Sequence, residues 1–378
     1  MPRRTDHALS GLGSSQAAAL RYLRRNGPAP RTAIADLCGI TPAAASMMTR
    51  DLLQRGLISE GARRQGGRGA PPVDLVLTPS AGYAFGIHAN RHSITLTLLD
   101  FCGTIIGDLQ MHGSYHAFSE VGAVIAQASE TLLSQTSISR PAVLGAGLAM
   151  PTRFSKETVS LDLAEEIVSW SGADLSGSLS RLLDCPVLIE NDANAAAMGE
   201  MALGNKKGDA NFAYLYLSEG IGSGIMIDGE LYRGHIGNAG EIGALRARGL
   251  SRPSFEDLAQ WCRERIGTVP DDRSPDVWSE FLKRHSDTLD IWLQRAGPET
   301  ARLGFMMSAV LGPSAIYVGG TLPKLVREKL LPWLDFSRSR PFGEARVVQP
   351  DIRLPDVATA NPVAFGAAAM ILHRAHSL

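Results

Sequence analysis

The segment IENDANAAAMGE, Ile189 to Glu200, sets a carboxamide and a carboxylate, Asn191 and Asp192, side by side ahead of an alanine-rich run. A carboxylate oriented by its neighbours suits general-base work or bidentate acceptance of two hydroxyl protons. The same pair also suits the N-terminal cap of the helix that the alanines predict. Two further carboxylates stand in short motifs, Glu241 in GNAGEIGA (Gly237 to Ala244) and Glu256 in Ser254-Phe255-Glu256. Between them and Asp192 runs a glycine-rich stretch, LSEGIGSGIMIDG, Leu217 to Gly229. Gly220, Gly222 and Gly224 can cradle a phosphate or close a tight hairpin, and the structural role is the stronger one. A carboxylate at Glu219 would repel a polyphosphate. Cys38, Cys102, Cys185 and Cys262 are widely separated and form no C-x-x-C or C-x-C, so the pattern predicts neither a disulfide framework nor a clustered zinc site.

A second chemistry is concentrated near the N-terminus. Residues 1–80 carry 11 Arg, no Lys and 5 acids, a net +6, within a chain whose total is −1. A basic unit on a mildly acidic body points to a nucleic-acid reader fused to something else. Its punctuation predicts three helices. Ser14 to Asn26 stops at Gly27-Pro28, Arg31 to Cys38 is followed by a turn at Gly39, and Thr41 caps a third helix with Pro42 in its first position, ending near Arg55. Leu57-Ile58 and Val73 to Leu77 then bracket ARRQGGRGAPP, Ala62 to Pro72, as a wing. This is a winged helix-turn-helix, with double-stranded DNA as partner. Arg31, Thr41, Pro42, Ala43, Ala44, Ser46, Met47 and Arg50 are the candidate contacts of the helices, and Arg63, Arg64 and Arg68 those of the wing. Arg50 is the recognition helix's only long basic side chain, so base selection would lean on thymine methyls, hydroxyls and DNA shape. A pair of such heads implies a palindromic operator read by a homodimer or homotetramer.

The rest of the chain must position the carboxylates. Its 44% hydrophobic and 20% charged residues over 378 positions exclude disorder, collagen and coiled coil. Neither an apolar leader nor a run approaching the ~18 residues of a membrane span is present. The expectation is a soluble cytoplasmic protein with no membrane partner. Strands are predicted at Tyr83 to Ala89, Ser93 to Asp100, Gly103 to Met111, Val143 to Met150 and Pro186 to Glu190, with helices at Ser119 to Gln135, Leu175 to Leu183 and Ala193 to Leu203. A second series follows: Phe212 to Ser218, Gly222 to Asp228, helices between Ser254 and Val310, and Ala315 to Val318. Two β-then-α series predict a duplicated α/β body of two lobes with a cleft between them. The expected domains are 1–80, 81–204 completed by 358–378, and 205–357.

In order, and behind a winged helix-turn-helix with a GGRGAPP wing, these motifs resemble the ROK family of sugar kinases and sugar-responsive repressors, over nearly the whole chain. The resemblance implies an actin- and hexokinase-like (ribonuclease H-like) body. It implies that Asn191, Asp192, Glu241 and Glu256 bind a sugar or sugar derivative, Asp192 matching the family's catalytic base. The departures fall on the kinase chemistry. The D-x-G-x-T phosphate loop is here GIHANRHSI, with His88 for the acid and Asn90 for the glycine, and the family's G-T-G is Ser218-Glu219-Gly220. The E-x-G-H histidine is Ala244, and no cysteine follows it to complete a zinc module. The implied function is therefore a sugar-responsive DNA-binding regulator that carries no cofactor and is not an enzyme, rather than an active ATP-dependent sugar kinase or a ligand-independent DNA-binding protein.

Overall fold

The computed structural model describes residues 9, 11–63, 73–90, 92–113, 115–154, 161–163, 170, 174–245, 252–357 and 359–374. The N-terminal unit is built from α1 (Ser14–Asn26), β1 (Ala29–Pro30), α2 (Arg31–Cys38), α3 (Pro42–Gln54), β2 (Ile58–Arg63) and β3 (Val73–Leu77). Gly39 ends α2 in the left-handed region at φ 60°, a conformation glycine adopts without penalty. Thr41 then caps α3, its side chain accepting from the Ala44 amide at 3.2 Å with Pro42 in the first turn. The strands form a small sheet in the order β1-β3-β2. β2 runs on to Arg63, well past the expected Leu57-Ile58, because it pairs with β3 as far as Arg63 opposite Val73.

Two five-stranded sheets form the body. In the first, β4 (Tyr83–Ala89), β5 (Ser93–Asp100), β6 (Ile105–His112), β7 (Val143–Met150) and β10 (Val187–Asn191) lie in the order β6-β5-β4-β7-β10. In the second, β11 (Phe212–Leu217), β12 (Ile221–Ile227), β13 (Glu230–Leu231), β14 (Ala315–Gly319) and β15 (Asp351–Arg353) lie in the order β13-β12-β11-β14-β15. Each sheet opens with an antiparallel meander and adds two parallel strands on the other side of its first strand. The duplication expected from element order is thus a duplication of topology. A short pair, β8 (Thr152–Phe154) with β9 (Leu161–Leu163), stands apart.

Helices α4 (Phe118–Thr136) and α5 (Leu175–Leu183) cover one face of the first sheet, where Trp170 is buried against Phe118. The second sheet is covered by α7 (Phe255–Ile266), α8 (Pro275–Arg284), α9 (Ser286–Leu311) and α10 (Lys324–Leu330), with α11 (Phe336–Ser339) beside them. Between the sheets lie α6 (Asp192–Leu203) and the last helix, α12 (Pro362–Arg374). They cross at backbone distance, since a Cβ on Gly366 would stand 1.8 Å from the Ala195 carbonyl oxygen and one on Gly199 2.9 Å from the Gly366 Cα. α12 also lies on the first sheet, where a Cβ on Gly86 would meet the Ala364 oxygen at 1.8 Å.

The core of the N-terminal unit is continuous with that of the body. One apolar cluster joins Leu20, Leu23, Ile34, Leu52 and Leu75 to Leu99, Phe101 and Leu144 of the first lobe and to Ile371 and Leu372 of α12. No helix among the described residues is long and apolar enough to cross a membrane.

Candidate functional site: interlobe carboxylates and DNA-reading surface

Asn191 ends β10 and caps α6. Its Oδ1 accepts from the amides of Ala193 at 2.9 Å and Asn194 at 3.4 Å, and its Nδ2 donates to the Thr152 carbonyl at 3.0 Å. Asp192 opens the helix, where the macrodipole favours a negative charge, and its Oδ1 accepts from the Ala193 amide at 2.8 Å. The capping role and the presentation of a carboxylate therefore coexist in the pair.

Glu190, buried just below them, anchors the turn. Its Oε1 accepts from the Asn191 amide at 3.0 Å and from Asn194 Nδ2 at 2.9 Å. Its Oε2 accepts from Arg233 Nε at 3.0 Å and Nη2 at 2.6 Å. Arg233 follows β13 in the second lobe, and its carbonyl accepts from the Ala239 amide at 3.2 Å, two residues before Glu241. One ion pair thus ties the strand carrying Asn191-Asp192 to the loop carrying Glu241. That loop is fixed in turn at Gly240, with φ 92°, whose carbonyl accepts from the Ser223 amide at 3.0 Å and where a Cβ would meet the Ser223 oxygen at 2.0 Å.

Glu256 is reached through other groups. It lies in the first turn of α7 behind its cap Ser254, and its Oε2 accepts from Arg273 Nη2 at 3.0 Å. Arg273 Nη1 donates to Glu219 Oε2 at 2.5 Å, so a single guanidinium holds both carboxylates. Tyr216 is buried near the end of β11, where burial pushes its phenol well above the ordinary value and the charges of Asp192 and Glu219 push the same way. The family resemblance implies that Asn191, Asp192, Glu241 and Glu256 form one group. The structure resolves them into a cap and a pinned loop, linked by Glu190 and Arg233, and an ion-paired helix start that Arg273 joins to Glu219. Glu190 adjoins the motif, but nothing in the sequence pairs Arg233 or Arg273 with carboxylates 43 and 54 residues away.

The glycine-rich hairpin serves packing. A Cβ on Gly224 would stand 2.7 Å from the Ala193 oxygen and one on Gly222 3.2 Å from the Ala193 Cβ, so these glycines let β12 lie against the start of α6. His88 is buried on β4, and its Nδ1 accepts from Asn361 Nδ2 at 3.1 Å. Burial pushes its pKa down to about 4, which leaves it neutral at pH 7. Asn90 closes the β4-β5 turn, its Oδ1 accepting from the amides of His92 and Ser93. Among the described residues, no three His, Cys, Asp or Glu side chains are grouped to hold a metal ion.

On the N-terminal unit, Thr41, Pro42, Ala43, Ala44, Ser46, Met47 and Arg50 all lie exposed along one side of α3, while Ala45, Thr49 and Leu52 face inward. Met47 is 72% exposed. Arg31 is held by neighbours, its Nη2 donating to Glu60 Oε1 at 2.9 Å and its Nε to Thr49 Oγ1 at 3.3 Å, which ties α2 to β2. Arg63 ends β2, and Arg64 and Arg68 lie outside the described residues.

A winged helix-turn-helix packed on a duplicated actin-like body is the architecture of a ROK-type regulator, and the comparisons agree. The ROK family profile matches residues 84–263 and the MarR family profile residues 10–69. A provisionally named xylose repressor of Caldicellulosiruptor sp. (strain Rt8B.4) is 30% identical over 76% of this chain and 70% of its own length. The xylose repressor of Bacillus subtilis (strain 168) is 30% identical over 59% of this chain, and the match spans 58% of that repressor's length. A crystal structure of a ROK family transcriptional regulator, a homologue of the Escherichia coli MLC protein, superimposes with a TM-score of 0.71 at 18% identity, covering 96% of this chain and 97% of that one. Solved sugar kinases share the body's fold. The chain belongs to the ROK family, with a MarR-type winged helix domain at its N-terminal end.

Proposed function

We propose that the protein is a sugar-responsive transcriptional repressor of carbohydrate uptake or catabolism genes, acting as a dimer or tetramer on a palindromic operator and lacking kinase activity. The observation that carries this reading is the shared core of the DNA-reading unit and the ROK body. A sensor whose effector is to alter DNA binding needs that continuity, and a kinase does not. In this mechanism the sugar binds one arrangement of the lobes better than another and shifts the population of DNA-competent molecules. A tenfold change in operator affinity requires about 1.4 kcal/mol of coupling, within the ordinary range.

The groups standing in the phosphate loops support loss of phosphoryl transfer. His88 is neutral and engaged with Asn361, so it supplies neither charge nor carboxylate oxygen to a metal. Glu219 is committed to Arg273 and presents a carboxylate where a phosphate would have to lie. For the effector, a pentose is the first candidate, since Ala244 replaces a histidine of hexose-binding members and two of the relatives are named for xylose.

The test is a thermal-shift screen of free pentoses, hexoses and polyols, D-xylose included, on wild type, Asp192→Ala and Glu256→Ala. A sugar that stabilises wild type but not Asp192→Ala supports the site. One that stabilises all three equally overturns it, as sugar-dependent ATP turnover would overturn the loss of kinase activity.

A further inference from the structure

We propose that Arg24 is the positioning residue that fixes the DNA-reading unit to α12 and passes the state of the interlobe site to the DNA-reading surface. The proposal builds on the reading of that site as the effector site. Arg24 leaves α1 and crosses into the body, where its Nε donates to the Phe101 carbonyl at 3.0 Å and its Nη1 to the Leu372 carbonyl at 3.3 Å. Its guanidinium lies 4.9 Å from the centre of the Phe101 ring. Burial lowers its pKa to about 10, so it remains a cation at neutral pH. Leu372 belongs to the last turn of α12, where carbonyls lack helical partners and the dipole is negative, so a buried cation there acts as a cap.

The other contacts across this junction are chiefly apolar and therefore hold without fixing a direction. Arg25 adds one longer hydrogen bond, 3.5 Å to the Asn205 carbonyl. Arg24 spans the first lobe and α12 at once, and its two hydrogen bonds define an orientation.

α12 is itself tied to the interlobe site. It meets α6, the helix that begins at Asp192, with the Gly199 and Gly366 backbones in contact, and such a crossing has no flexible side chains to absorb a shift. Its first turn is set by Asn361, which also holds His88. At its end His373 Nε2 lies 3.6 Å from Glu230 Oε1 in β13 of the second lobe, three residues before Arg233. A change in the separation of the lobes therefore reaches α12 at its end, through His373 and Glu230, and in the middle, through α6, which also packs on β12 of the second lobe, and Arg24 is the polar connection onward.

The experiment is a double-mutant cycle read by hydrogen exchange on the full chain, with no sugar or DNA present. Glu190→Gln with Arg233→Met releases the lobes without leaving a lone buried carboxylate. The readout is amide exchange in Ser14–Asn26 and Arg31–Cys38. With Arg24 intact, the pair should raise exchange there at least about fivefold, the lower end of ordinary coupling. With Arg24→Met, the same pair should change it less than about twofold, and Arg24→Lys, which keeps a charged donor, should restore part of the response. Arg24→Gln serves as the uncoupling variant if the methionine form does not fold. An equal response with and without Arg24, or no response with it, overturns the proposal. Because no ligand enters the cycle, its failure is distinct from failure of the sugar screen.

Discussion

Glu190 and Arg233 meet across the two lobes with both Nε and Nη2 on one carboxylate oxygen, while the other oxygen carries the amide of Asn191. Arg233→Met leaves a carboxylate buried at 2% exposure without its counter-charge and should destabilise the protein by about 3 kcal/mol, the low end for a broken buried pair because Arg233 is itself partly exposed. Adding Glu190→Gln should recover at least half of the loss. Urea denaturation of both variants checks this, and a double variant no more stable than the single one would show that the cost lies elsewhere.

Arg273 presents the opposite case. It and its two carboxylates are each about a third or more exposed, so Arg273→Ala should cost less than about 1 kcal/mol of stability. It should nevertheless change the affinity of whichever sugar the thermal-shift screen finds, since it releases Glu256. Titration calorimetry and a melting curve on the same variant separate the two effects.

Acid should weaken the fold before ordinary carboxylates titrate. His88 is held neutral with a pKa of about 4, against 6.5 in an unfolded chain, so the unfolded state binds more protons between those values. Its contribution is constant above pH 6.5 and is lost as the pH falls towards 4, amounting to about 2 kcal/mol at pH 5. His373 is lowered in the same direction by burial. Urea midpoints at pH 7.5 and pH 5 measure the slope, and His88→Gln, which retains a polar side chain near Asn361, should flatten it.

Binding of DNA should divide by residue type. Arg50→Ala, and Arg63→Ala with Arg64→Ala and Arg68→Ala, should weaken binding to all sequences and reduce the salt slope by about one for each phosphate deprived of its arginine. Met47→Ala or Ser46→Ala should alter sequence preference with the salt slope unchanged. A wing variant with an unaltered slope would show that those arginines do not neutralise phosphates.

The winged unit and the main strands were legible because their signals are local. Gly27-Pro28, Gly39 and Thr41-Pro42 mark helix ends through their own backbone preferences, and β7 and β11 are unbroken apolar runs, as strands buried on both faces must be. β1, β13 and β15 were not, since strands of two or three residues exist only because a longer neighbour supplies their hydrogen bonds. α12 could be read only as completing the first lobe. From Val363 to Leu372 every residue is buried, which erases the amphipathic period that marks a surface helix. Of the site, Asn191 and Asp192 stood out through a contiguous motif, whereas Arg233 and Arg273 acquire their partners only when distant loops are folded together.

The placement of α12 also orders the protein's birth. Ribosomal synthesis delivers the DNA-reading unit first, yet the carbonyl that Arg24 grips belongs to Leu372, 348 residues later. Until α12 leaves the exit tunnel, the first sheet lacks the cover that Gly86 is shaped to receive and the reading unit lacks its anchor. A nascent or prematurely terminated chain would thus carry a reading helix with no fixed bearing on the rest of the molecule. The reading unit gains its bearing only once α12 has been made and folded.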